Sequence, residues 1–304
     1  MIKRFKEELE RLLSHGWDKA AADGVRELSS ALDRDAGFAA ALDRIARGYA
    51  RDGAIDLGGA LTAVRAEKRD GGINENAADL LLILASLPYL HDRYGAAGIP
   101  DEVFYASMDD IRCKVNECIE CTGKAGTFVA GWYDGFFNMT RFAYGRFQYE
   151  PVVYDGEDIA LSCGASLRKG GYFINFHIPS NGVPLTDEVR LGSYRLAYPH
   201  YASLFGGGPV IFGCDSWLLY PAHRDFLPRH SNVLRFMDDF EVIKGRDEAV
   251  FGDKWRVFGR YSDLPASQLP RDTSLRAAYA DRLASGLPTG EGFGVFAFDG
   301  EKII

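Results

Sequence analysis

The 304-residue sequence has no apolar run long enough to cross a bilayer, no block of lysine and arginine, and no cysteine framework. Each absence excludes something. The longest apolar stretch, AADLLLILASLPYL at 77–90, is interrupted by Asp79 and Pro88. It falls short of the roughly 20 residues that a spanning helix needs, so a buried helix is expected there and no membrane partner. The opening MIKRFKEELERLL is amphipathic and carries acidic residues, unlike a secretory signal, which makes a cytoplasmic location the default expectation. The formal net charge of −8 leaves no electrostatic footprint for nucleic acid. The five cysteines are an odd number without disulfide spacing. Three of them, Cys113, Cys118 and Cys121, cluster in CKVNECIEC on one expected helix. A zinc site needs a fourth ligand, and neither Cys nor His follows closely, so buried free thiols are expected and no metal. Reduced thiols fit a reducing compartment.

A hydrophobic content of 47% and a charged content of 26% suit a soluble globular chain, long enough for one large domain or two ordinary ones. The first hundred residues carry apolar positions at the helix period: Phe5, Leu9, Leu12 and Leu13; Val25, Leu28 and Leu32; Phe38, Leu42 and Ile45. Gly16, Gly53 and DGG at 70–72 punctuate them. An all-helical domain over 1–100, ending near YGAAGIP, and a second domain over 101–304 are expected. The second begins with helices at 107–122 and 128–138. Then RFAYGRFQYEPVVY (141–154), DIALSCG (158–164) and YFINFHI (172–178) read as strands of an antiparallel meander. A helix follows from Thr186, a plausible N-cap, with Asp187 and Glu188 complementing its dipole. PVIFGC (209–214), FEVIKG (240–245) and GFGVFAF (292–298) read as strands, with short helices near 222–237 and a longer one at 274–286. The fold class is α+β, with helices flanking a mostly antiparallel sheet.

The blocks YGRFQYE (144–150), FHIPSNGVPLT (176–186), CDSWLLYP (214–221) and LPRHSNVLRFMDDFEV (227–242) carry a resemblance in their order. The chain resembles the GNAT-like acyltransferase family, in which an all-helical N-terminal domain precedes a GNAT-like C-terminal domain. The resemblance implies an N-acyltransferase that moves an acyl group from acetyl-CoA or another acyl-CoA to the amine of a small molecule. It implies that the strand ending at His177 and the strand ending at Cys214 splay apart around the thioester. It also implies that the helix after Thr186 receives the coenzyme A pyrophosphate, with Ile178, Asn181, Gly182, Val183 and Thr186 in contact. Here PSNGVPLT holds one glycine and a proline where GNAT enzymes carry Arg/Gln-x-x-Gly-x-Gly/Ala. That departure motivates a second reading, a non-catalytic GNAT-like binding or regulatory module that has lost the cofactor.

Strand alternation puts Phe173, Asn175 and His177 on one face. An imidazole at a strand end can act as a general base for an amine, or it can be a hydrogen-bonded histidine within the sheet. Arg146, Gln148 and Glu150 alternate likewise, so they form either a substrate-binding set with Glu150 as a second base or a solvated sheet face. Asp215 is a candidate to orient His177, and Ser216 to donate to a carbonyl. Trp217 is a pocket wall or a core aromatic. Tyr220 holds the position of the acid that protonates the thiolate in GNAT enzymes. Arg235 would bind a carboxylate or phosphate, or pair with Asp238 or Asp239 on its own helix. A third reading, hydrolysis by Cys214 or Ser216 with His177, would require an activated nucleophile. The sequence assigns no oligomeric state.

Overall fold

The computed structural model describes residues 2–67 and 73–304, so the expected break at 70–72 lies outside the described residues. The chain divides into two compact units, Met1–Phe142 and Ala143–Ile304.

The first unit is helical: α1 (Ile2–Leu13), α2 (Lys19–Arg34), α3 (Ala36–Ala50), α4 (Leu57–Glu67), α5 (Glu75–Ala96), α6 (Asp101–Met108), α7 (Asp110–Thr122) and the short α8 (Asp134–Phe137). Side-chain caps set several of the starts. The Asp18 carboxylate accepts the Ala21 N–H at 3.0 Å, Asp35 that of Phe38 at 2.8 Å, and the Asn74 side chain that of Ala77 at 2.9 Å. The apolar stretch at 77–90 lies inside α5, and Leu80, Leu81, Leu82 and Ile83 are wholly buried. Its one carboxylate, Asp79, accepts from Arg65 Nε of α4 at 2.8 Å, which compensates the charge where it is buried.

The unit boundary falls some forty residues beyond the expected one near Pro100. Pro100 is the N-cap of α6, a helix start and not a linker. Phe104, Tyr133, Phe136 and Phe137 are buried in the same core as α5. Cys113 and Cys118 are buried, Cys121 is half-buried, and none of the three is in a disulfide. Burial pushes the Cys113 thiol up to about 12. Among the described residues no group of His, Cys, Asp and Glu could hold a metal ion, and no helix is long and apolar enough to cross a membrane.

The second unit is built on a six-stranded sheet. Its strands in chain order are β1 (Phe142–Tyr144), β2 (Phe147–Val153), β3 (Ile159–Ala160), β4 (Ser166–Leu167), β5 (Tyr172–His177), β6 (Val210–Ser216), β7 (Glu241–Glu248) and β8 (Thr289–Phe298). The order across the sheet is β1-β2-β5-β6-β8-β7, with β3 and β4 forming a separate two-stranded ribbon. The helices are α9 (Asp187–Tyr201), α10 (His223–Phe226), α11 (Asn232–Met237), α12 (Lys254–Phe258) and α13 (Ser274–Ala284). The β2–β5, β6–β8 and β7–β8 pairings are antiparallel and β5–β6 is parallel, so the α+β expectation holds.

The expected three-strand meander does not form. β2 pairs directly with β5, from Gln148↔His177 to Val153↔Tyr172. DIALSCG contributes only Ile159–Ala160, because the chain turns back at Gly164, at φ +89, and its apolar residues Ile159 and Leu161 pack onto one sheet face with Phe173, Ile211 and Val295. The opposite face carries Tyr149, Ile174, Phe176 and Phe212 and is covered by Tyr194 and Ala197 of α9.

α9 is tied down by Arg190, which is 3% exposed. Its guanidinium donates to the Asp239 carboxylate at 2.6 and 2.8 Å, to the Leu185 carbonyl at 2.7 Å and to the Arg235 carbonyl at 3.1 Å. Arg190→Met would leave that carboxylate buried and uncompensated. We predict a loss of about 3–5 kcal/mol in the stability of this unit, read as an earlier urea midpoint for the β-sheet signal.

Candidate functional site

The site arises where one ladder stops. Parallel β5 and β6 pair only at Ile174↔Phe212 and Asn175↔Gly213. Beyond those pairs β5 runs on to His177 and β6 to Ser216, each still held by its antiparallel neighbour, β2 or β8. Two residues past the last pair, His177 stands level with Asp215 across the gap. Gly213 marks the divergence. A Cβ there would lie 2.6 Å from the Phe173 ring and 3.2 Å from Val295, so only glycine lets the strands approach before they part.

His177 and Glu150 meet at the mouth of this gap. The His177 Nε2–H donates to Glu150 Oε1 at 2.6 Å, and the Asn175 side-chain amide lies 3.3 Å from the same nitrogen. The side chains of His177 and Glu150 are 23% and 17% exposed, so the pair is partly withdrawn from water yet reachable. With its proton on Nε2 and donated to the carboxylate, the neutral ring carries its basic lone pair on Nδ1, and Glu150 stabilises the imidazolium once a proton is taken. The expected alternation is met here: Phe173 packs on the ribbon face while Ile174 and Phe176 pack under α9. Gln148, the register partner of His177 on β2, is 2% exposed.

Arg146 lies just before β2 and is spent on the loop that follows β5. Its Nε donates to the Val183 carbonyl at 2.9 Å and its Nη1 to the Pro179 carbonyl at 2.8 Å. It thus positions the loop instead of facing the gap. Within that loop Asn181 Oδ1 accepts the Val183 N–H at 3.1 Å, so the amide of Val183, expected in contact with the pyrophosphate, is already bonded. Gly182 has φ +79 with open space around it. Ile178 packs against the α9-face core. Thr186 is the N-cap of α9, but its side chain makes no cap hydrogen bond, which leaves the first-turn N–H groups directed outward. Asp187 and Glu188 bring negative charge to that turn, and Asp187 pairs with Arg190 at 3.1 Å.

The remaining expected residues divide by face. Asp215 is half exposed and lies beside Arg246 Nη1 at 3.6 Å, so it is paired there and Glu150 is the carboxylate on His177. Arg246 also pairs with Glu291. Asn175, Asp215, Lys244, Arg246 and Phe293 line a cavity of about 380 Å³ on the ribbon face. Cys214 is buried in the α9-face core, and burial pushes its thiol far up, which denies it the thiolate that hydrolysis needs. Ser216 Oγ accepts the Leu218 N–H at 3.2 Å, a cap on the short 3₁₀ turn at Trp217–Leu219. Trp217 packs edge-on to Tyr279 at 5.7 Å and to Phe251 at 6.1 Å, as a core aromatic.

Tyr220 lies on the other face of β8, where a Cβ at Gly290 would meet its ring at 2.7 Å. Its hydroxyl donates to Asp247 at 2.6 Å, and burial, then this bond, push the phenol above its ordinary value. The structure therefore does not bring Tyr220 to His177. Arg235 is exposed, and the carboxylates expected to pair with it are held elsewhere, Asp239 by Arg190 and Asp238 by Arg224. Sequence reasoning missed Lys244, Arg246, Glu291 and Phe293. Their spacing offered a faint signal, but the register that brings them to one face is invisible in the sequence.

Fold and site together define the GNAT-like class. Residues 142–296 match the family model of the GNAT-like C-terminal domain, and residues 6–139 match the N-acyltransferase N-terminal domain. The chain belongs to the family that joins these two domains, as its four sequence blocks suggested. A search of curated proteins finds no significant match. Among solved structures, an acyltransferase in complex with decanoyl-CoA is 19% identical, with a TM-score of 0.68 over 96% of this chain and 87% of that one. An acyltransferase mutant in complex with octanoyl-CoA is 20% identical, with a TM-score of 0.66 over 96% of this chain and 94% of that one. An acyltransferase in complex with decanoyl-CoA and teicoplanin is similar to the same degree, at 20% identity and a TM-score of 0.66. At these identities the likeness is one of fold.

Replacing Arg146 by Met would release both loop carbonyls. Since hydrogen bonds to a charged group are worth about 1.5–3 kcal/mol, amide exchange over 179–186 is predicted to speed up at least roughly tenfold, as read by hydrogen-exchange mass spectrometry.

Proposed function

We propose that the protein is an acyl-CoA-dependent N-acyltransferase whose thioester lies in the gap between β5 and β6, with His177 as the general base. The observation that carries this reading is the arrest of the β5–β6 pairing at Asn175↔Gly213, with the His177–Glu150 pair at the mouth of the opening. Membership of a family that includes an N-acyltransferase N-terminal domain supports it. So do structural neighbours crystallised with decanoyl-CoA and octanoyl-CoA.

The chain's own residues supply three things. Where the β5–β6 ladder ends, backbone N–H groups of the strands can hydrogen-bond a carbonyl oxygen as it gains charge. The outward N–H groups of α9, with the open backbone at Gly182, fit a phosphate better than the Asn181–Val183 turn does. His177 Nδ1 takes the proton of an amine as its nitrogen attacks, while Glu150 holds Nε2 and the developing charge. The carbonyl–sulfur bond breaks as the amide bond forms. A thiol is acidic enough, with a pKa of about 8.5, to leave with little assistance. The reaction thus does not require Tyr220, which is engaged with Asp247. A small-molecule amine is the acceptor in this reading.

A non-catalytic module would have no need of the broken ladder or of a half-buried His–Glu pair beside it, and both favour the catalytic reading. Calorimetry with acetyl-, octanoyl- and decanoyl-CoA tests it directly. Saturable binding of at least one is expected, and binding of none would contradict the proposal. His177→Ala is predicted to lower kcat by roughly 10²–10⁴-fold in an acyl-transfer assay while donor affinity changes less than about threefold.

A further inference from the structure

The cavity on the ribbon face holds charges that the acyl-transfer chemistry does not use. β7 is an edge strand, and its register against β8 slips: Val242 pairs with Gly294, but Lys244 pairs with Phe293, leaving Ile243 as the extra residue of a bulge. Val242 lies on the α9 face, where a Cβ at Gly294 would meet Phe240 and Leu219. In an unbroken strand Lys244 would share that face. The bulge turns Lys244 and Arg246 onto the opposite face, beside Phe293 and Glu291. A lysine that only guards a sheet edge against pairing would serve on either face. The bulge decides which face it serves.

The two cations are not equivalent. Arg246 is paired with Asp215 and Glu291, whereas Lys244 has no ion-pair partner among the described residues and is exposed along the cavity wall. The register also fixes its place relative to the base. His177 is level with Asp215, Asp215 pairs with Phe293, and Phe293 with Lys244, so all four stand in one row across the sheet. From β5 to β7 the row crosses three strand spacings, about 14 Å for closed ladders and more here, because β5 and β6 have parted. Allowing a hydrogen-bond length at each end, a ligand spanning Lys244 and His177 measures at least roughly 8–10 Å from anion to amine, the reach of a peptide of about three residues at about 3.3–3.6 Å each. Between the ends lies an aromatic floor, with the Phe173 and Phe293 rings edge-to-face at 5.7 Å.

Resting on the acyl-transfer reading of the same site, we infer that the acceptor is an amine that carries a carboxylate at this distance, as in a short peptide, with the carboxylate on Lys244 and the amine toward His177. Titration calorimetry of the full chain with glycylglycylphenylalanine and with its C-terminal amide is the test. The acid should bind roughly two- to fivefold more tightly than the amide, as expected of one exposed ion pair. K244Q should abolish that difference and leave amide binding unchanged. Equal binding of acid and amide, a difference that survives K244Q, or no binding of the acid would overturn the inference. Octanoyl transfer, assayed separately, keeps the two claims apart. If binding depends on Lys244 but no donor is bound or used, the acyl-transfer reading fails and the anion subsite stands. If acid and amide are acylated with the same KM, the subsite fails and the acyl-transfer reading stands.

Discussion

The structure depends on a pairing that stops. Strand ladders are favourable to extend, since each added residue satisfies backbone groups that otherwise need water or another partner. Here β5 and β6 stay together for only two residue pairs and then part, although both strands continue. What holds them apart is not local to the gap. β2 keeps β5 in register as far as His177, and β8 keeps β6 in register as far as Ser216. The sheet's outer pairings are therefore what keep its centre open. Gly213 permits the last close approach against Phe173 and Val295, and Arg190 secures the helix that leaves the gap.

The same outer pairings arrange the charges. The antiparallel β2–β5 register sets Glu150 opposite Asn175, two pairs along from the end and on the same face as His177, and so within reach of it. The β7 bulge then determines which side chains share that face at the far edge of the sheet. Two register choices, one regular and one slipped, place a base at one end of a row and a cation at the other. An aromatic surface lies between them.

Much of this was legible in the sequence. The helical first unit, the strands at 172–178 and 209–214 and the helix after Thr186 follow from periodicity and caps, and the four ordered blocks pointed to the family. Alternation alone put Asn175 and His177 on one face. What remained hidden was whatever depends on pairing. The segment 158–164 has strand composition but folds as a two-residue ribbon, because its apolar residues cover a face instead of extending a ladder. Arg146 reads as a member of a polar row, yet the loop carbonyls it satisfies lie more than thirty positions away. The choice of Glu150 over Asp215 as the partner of His177 and the place of Tyr220 behind β8 follow from register, which hydropathy does not encode.

The central claim is that an acyl thioester lies in the β5–β6 gap against His177. Nuclear Overhauser spectroscopy of octanoyl-CoA bound to the protein tests it most directly. Contacts from the methylene beside the thioester carbonyl to the His177 ring protons and the Asn175 amide are predicted. A bound acyl chain whose contacts exclude β5 and β6 would contradict the account.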